Sequence, residues 1–222
     1  MLNELLPNVK WEKMINATLE TLYMTGVSVL ATFVLGIILG LLLFLTAKGN
    51  LWQNSMINSL IAAIVNIFRS IPFIILIILL IPFTIFIVKS MFGSNAALPA
   101  LIIGAAPFYA RMVEIALREI DKGVIEASRA MGASTWTIIW KVLLPEAMPA
   151  LVSGITVTAI ALVGYTAMAG VVGAGGLGNL AFLDGFQRSQ NDVTFVATVL
   201  ILIIVFIIQF IGDRVTSSID KR

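Results

Sequence analysis

The sequence predicts an all-α, polytopic membrane protein with five transmembrane helices. Composition and the placement of the apolar residues point to that class. The 222 residues are 59% hydrophobic and 12% charged, with a mean hydropathy of +1.04. A soluble domain is nearer half apolar and a quarter charged. The excess sits in runs that approach the ~20 residues needed to cross a hydrocarbon core. The net charge of +2 is too small to suggest a nucleic-acid partner. Cys and His are both absent, which removes thiolate chemistry, imidazole bases and most zinc sites. The opening residues carry Glu4, Glu12 and Glu20 and lack a basic start before an apolar core, so no cleaved signal peptide is expected.

Residues 1–15 read as an extracytoplasmic N-terminal segment, 16–212 as the membrane domain, and 213–222 as a cytoplasmic tail. The first span lies near 22–45. Its Gly36 and Gly40 form a small-xxx-small pair that allows a second helix to approach closely or simply falls on a lipid face. The second span, 71–88, is nearly free of polar atoms. Before it, Met56–Phe68 is apolar with Asn58 and Asn66 interspersed, and at 1.5 Å per residue is too short to cross alone. It extends the second helix or lies at the interface, with Pro72 tolerated near the join. The third span, 96–112, contains Pro99, Gly104 and Pro107 among many alanines. Broken backbone survives at membrane depth only where protein or water covers it, so this helix is expected to be central. The fourth span is 151–172 and the fifth 193–211.

Five spans put the termini on opposite sides. Ten Lys and Arg residues, from Lys48 and Arg69 through Arg118, Arg129 and Lys141 to Arg222, fall on one side. Lys10, Lys13, Lys89 and Arg188 fall on the other. The positive-inside bias then sets the N-terminus outside and the C-terminus in the cytoplasm. Arg69 is expected at the inner edge of the second span, where an arginine can snorkel. At the bilayer centre it would cost several kcal/mol.

The segment 113–147 is unlike the rest. Met112–Asp121 continues as a charged helix that Gly123 closes. Ile125–Met131 follows as a short helix, and Gly132 breaks it. Ser134 caps a helix over Thr135–Leu144 that buries Ile138, Ile139, Val142 and Leu143 on one stripe. Pro145 and Pro149 are expected to stop it and start the fourth span. A solvated connecting loop is the plain alternative, but connections this long are uncommon unless functional. A helix–turn–helix on one membrane face is a surface for a partner to grip. Trp136 and Trp140, four apart, line that surface or belong to an interfacial aromatic belt.

Glu126-Ala127-Ser128-Arg129-Ala130-Met131-Gly132, nine residues, then Val142-Leu143-Leu144-Pro145 resembles the signature of permease subunits of ATP-binding-cassette (ABC) importers. Ser128 and Val142 depart from the usual Ala and Ile with little change in size. The resemblance implies the type I importer permease fold. It also implies a coupling helix, carried by Glu126, Ala127, Ser128, Arg129, Gly132, Leu144 and Pro145, that docks into a separate ATPase. Residues 66–73, 104–114, 162–170 and 209–214 further resemble the methionine import permease family. That implies a homodimer in the bacterial cytoplasmic membrane, two ATPase copies that hold ATP and Mg²⁺, and an external methionine-binding protein or lipoprotein. Transport of another small amino acid or peptide remains an alternative.

A two-fold dimer would create an axial path from two copies of one surface. Tyr165, Thr166 and Met168 on the fourth span are candidates to line it, although its small residues equally suit helix packing. Gly173-Ala174-Gly175-Gly176-Leu177-Gly178 is a literal G-x-G-x-x-G, with Asp192 nineteen residues past Gly173. A dinucleotide site needs a strand before it, whereas this run ends an apolar helix; an outer loop or gate is the better reading. The sequence contains no Gly-Lys dipeptide and hence no P-loop. Nucleotide hydrolysis must then come from another chain, and this one is read as non-catalytic. A secondary transporter would bury ionisable groups at midplane, and an intramembrane enzyme would show a nucleophile–base or metal constellation. The assigned spans show neither.

Overall fold

The computed structural model describes residues 6–220. Glu4, counted against a signal peptide, and Lys221 and Arg222, counted in the positive-inside bias, lie outside them. Among the described residues there is no strand. The helices are α1 (Trp11–Thr46), α2 (Ser55–Ser70), α3 (Phe73–Leu79), α4 (Ile81–Val88), α5 (Ser94–Arg118), α6 (Lys122–Ala130), α7 (Thr135–Ile138), α8 (Leu144–Val171), α9 (Gly176–Leu180) and α10 (Asn191–Ile219). π-Helical segments join α7 to α8 (Ile139–Leu143) and follow α9 (Ala181–Gln187). The bundle has a hairpin side, where α6 and α7 project, and a far side.

Four helical stretches are long and apolar enough to cross a membrane, and a fifth crossing is counted if α2 and α3 are taken together. The expected third span is the central one. The membrane window of α5 is 61% buried, against 22–44% for the others. Its prolines do not break it: Pro99 and Pro107 lie inside the helix, among alanines buried against neighbours. The main packing seam runs between α1 and α5. Thr21, Thr25, Ser28, Thr32, Gly36 and Gly40 form one buried face of α1. A Cβ on Gly36 would strike the Tyr109 ring, and one on Gly40 would strike Val113. The small pair is therefore a contact between helices and not a lipid-facing accident.

The second crossing differs from the single helix expected over 71–88. α2 meets α3 at a bend of 106°. Pro72 starts α3, and the chain breaks again at Leu80 because Pro82 has no N–H for the carbonyl of Ile78. The fourth span also differs. Pro145 and Pro149 do not stop it: Thr135–Val171 is one continuous rod of 37 residues. The π segment just ahead of Pro145 absorbs its missing donor, with the Leu144 N–H reaching the Ile139 carbonyl, and Pro149 is carried inside α8. Gly123 does not close α5, which ends at Arg118; the Asp121 carboxylate accepts the Gly123 N–H at 2.8 Å and caps α6.

The G-x-G-x-x-G run forms the far-side connection to α9. Gly173, Gly175 and Gly176 take φ of +95°, +85° and +77°, which only glycine adopts without strain. The freed N–H groups at the start of α9 turn inward. The Glu20 carboxylate accepts from Gly176 at 2.6 Å, and the Thr21 hydroxyl accepts from Leu177 at 2.9 Å. The loop thus binds a carboxylate of its own chain. Nearby, Asp184 pairs with Lys13 at 3.2 Å and Arg188 at 2.6 Å.

Candidate functional site

The hairpin stands on a packed base. Ile138, Ile139, Leu143 and Leu144 join Phe44, Val113, Leu117 and Leu151 in one buried cluster. That cluster locks the root of the α7–α8 rod to α1 and α5. The tip is open. Met131 is 81% exposed, and Glu126, Ala127 and Arg129 are all exposed. Gly132 turns the chain at φ +81° with empty space where a side chain would be. Ser134 accepts the Thr137 N–H at 3.2 Å and caps α7 as expected. The side chains of Glu126 and Arg129 make no ion pair or hydrogen bond among the described residues. Both rim a small cleft of about 60 Å³ against Asn50 and Leu51.

The seven signature residues do not form one surface. Glu126, Ala127, Arg129 and Gly132 are gathered at the tip. Ser128 faces inward, 7% exposed, its hydroxyl donating to the Val124 carbonyl at 2.8 Å. Leu144 is 7% exposed and sits in the base cluster, with exposed Pro145 opening α8 beside it. The motif therefore joins an open tip to a buried root. Trp136 and Trp140 are 62% and 65% exposed, and Trp136 makes an edge contact with Trp52 at 5.8 Å.

The path candidates separate as well. Tyr165 stacks on Phe73 and lines a cavity at the α2–α3 bend. Met168 is 46% exposed on a stripe with Val157, Gly164 and Val171. Thr166 is 2% exposed and its hydroxyl donates to the Val163 carbonyl, so it faces the core of its own subunit.

One cluster escaped the sequence reading. Glu114 is 1% exposed and accepts hydrogen bonds from both Arg111 and Arg118. Arg111 also donates to Asn66 at 3.0 Å, tying α2 to α5. Arg at i−3 and i+4 of a Glu on one helix was the available signal.

The family described as the binding-protein-dependent transport system inner membrane component matches residues 33–222. The chain is 69% identical over 222 residues to the methionine import system permease protein MetP of Bacillus subtilis (strain 168), covering 100% of each. It is 50% identical over 203 residues to the D-methionine transport system permease protein MetI of Escherichia coli (strain K12), covering 91% of this chain and 94% of that protein. A chain in an inward-facing structure of the MetNI methionine ABC transporter superposes with a TM-score of 0.93 at 49% identity, covering 95% of this chain and 98% of that one. The all-α permease fold of a type I ABC importer, expected from the sequence, is the fold observed. The chain belongs to the family of inner-membrane components of binding-protein-dependent transport systems.

Proposed function

We propose that this chain is the membrane subunit of an ATP-driven importer that carries methionine across the bacterial cytoplasmic membrane. Its open hairpin tip on a buried root carries the mechanism. A push on the Gly132 turn enters the α7–α8 rod, which runs unbroken through the bundle to Val171. A partner's nucleotide cycle can thus bias the permease between two states of access. The methionine assignment is supported by full-length similarity to the MetP permease. The active unit is two copies of this chain with two cytoplasmic ATPases, which hold ATP and Mg²⁺, and an external methionine-binding protein or lipoprotein. This chain itself is non-catalytic. Residues 16–212 form the membrane domain, with 1–15 outside and the tail from 213 inside. Among the described residues, Lys10, Lys13, Lys89 and Arg188 fall in far-side segments and Lys48, Arg118, Lys122, Arg129, Lys141 and Arg214 toward the hairpin, which supports this orientation.

The test is uptake of labelled methionine with and without the ATPase. Uptake should require it. Gly132→Asp and Glu126→Lys should insert normally, assemble poorly with the ATPase and lose uptake. Normal uptake by either well-inserted variant overturns the docking role, and uptake of a different small amino acid alone overturns the substrate.

A further inference from the structure

The 106° bend between α2 and α3 leaves a cavity of about 270 Å³ where α2, α3, α5 and α8 meet. Phe68, Phe73, Phe108 and Tyr165 supply aromatic walls, and Gly104 and Arg69 line the same space. The cavity is at membrane depth. Gly104 and Phe108 lie ten and fourteen residues into α5 from Ser94, about 15–21 Å below its far-side end at 1.5 Å per residue. The hydrocarbon core is ~30 Å thick. Arg69 is thus deeper than the inner edge expected for it.

A guanidinium at that depth is costly and faces an aqueous cavity or a partner. Arg111 on α5 donates to Asn66 and Glu114. Arg69, which is exposed, has no hydrogen-bond or ion-pair partner among the described residues, and no Asp or Glu lines the cavity. The space thus offers one fixed positive charge in a fork geometry and several π-faces. Its volume falls just below the ~300–1,000 Å³ usual for ligand pockets, enough for one small amino acid.

We propose that this cavity is an amino-acid subsite on the permease itself. Arg69 receives the α-carboxylate through paired N–H donors. The aromatic walls receive a soft thioether side chain by sulfur–ring contact, and the ammonium group lies over a ring face. This assignment rests on the proposed function and adds to it a second recognition step after delivery. It selects a free carboxylate next to an apolar side chain of moderate length.

The chain contains no Cys, so Ile71→Cys at the bend is a unique reporter on this subunit. In the full transporter in membranes, maleimide labelling of that cysteine is followed on the permease. Methionine at ten times its Kd should slow labelling about tenfold. Methioninamide, which lacks the carboxylate, should not. Arg69→Gln should weaken protection by methionine about tenfold or more, and Arg69→Lys should retain part of it. Ser70→Cys, between Arg69 and Ile71 and exposed, is the second reporter if Ile71→Cys fails to assemble. Equal protection in the Gln variant, equal protection by methioninamide, or none with Arg69 present overturns the subsite. Methionine uptake by the unmodified transporter is measured alongside. Intact uptake without protection removes the subsite alone, whereas absent uptake removes the transport reading on which it rests.

Discussion

The rings of Phe73 and Tyr165 lie 4.5 Å apart and 2° from parallel. This stack fastens the start of α3, just past the bend, to α8. Phe73 is 7% exposed and also packs against the bare face of Gly104. Phe73→Ala removes the stack and leaves a void. In lipid the hydrophobic driving force between helices is weak, so mainly packing is lost. The cost should be about 2 kcal/mol, below the 3–5 kcal/mol typical of Phe→Ala in aqueous cores. Tyr165→Phe, which keeps the ring, should melt within a degree or two of the unmodified protein. Thermal unfolding in detergent checks both. Equal melting of Phe73→Ala and the unmodified protein would show that the stack bears no stability.

Glu114 is buried between two guanidinium groups, and the three charges need one another. Removing the carboxylate leaves Arg111 and Arg118 facing each other beside a hole. Breaking a buried pair costs about 3–5 kcal/mol. Arg118 is 57% exposed and can turn to solvent, which lowers the figure to about 2–3 kcal/mol. Glu114→Ala should therefore be strongly destabilised, and Arg118→Ala should change stability by less than about 1 kcal/mol. Similar melting of the two variants would contradict the buried network.

What the sequence revealed, and what it hid, follows from which forces leave a linear trace. Apolar runs located the long helices because lipid demands them of contiguous residues. The backbone interruptions at Pro99, Gly104 and Pro107 marked α5 as central, and the structure agrees. The second crossing was misread as one helix over 71–88. Hydropathy is blind to the donor that Pro82 lacks and to a bend between two equally apolar pieces. Pro145 misled in the opposite direction, since a π turn supplied by Ile139–Leu143 lets the helix pass through. The hairpin tip was legible from Gly132 and its charged neighbours. The burial of Leu144 was not, because it depends on Phe44 and Leu117 from distant parts of the chain.

Gly164 and Gly170 lie on the same helix and should respond oppositely to substitution. A Cβ on Gly170 would collide with the backbone of Gly178 and Asn179, which cannot yield. Gly164 has nothing within 4 Å and lies on the exposed stripe with Met168. Gly170→Ala should destabilise the subunit by several kcal/mol, as overpacking does in its severe form (about 1–3 kcal/mol or more). Gly164→Leu should fold normally and fail to form the homodimer. Light scattering on the purified permease separates the cases. A stable dimer of Gly164→Leu would move the subunit interface off this stripe.

Thr21 and Thr32 share the buried face of α1, at 2% and 0% exposure, yet differ in hydrogen bonding. The Thr21 hydroxyl donates to the Ala17 carbonyl and accepts from Leu177, closing the start of α9. The Thr32 hydroxyl has no partner among the described residues. A buried polar atom without a partner costs free energy, and an apolar group of the same shape does not. Thr32→Val should therefore match the unmodified protein or gain up to about 1 kcal/mol. Thr21→Val has the same shape change and should lose about 1–2 kcal/mol, because it strands the Leu177 N–H in the interior. Hydrogen exchange at Leu177 gives a local readout: it should accelerate in Thr21→Val and stay unchanged in Thr32→Val. If both variants destabilise equally, Thr32 has a partner and the asymmetry along this face is wrong.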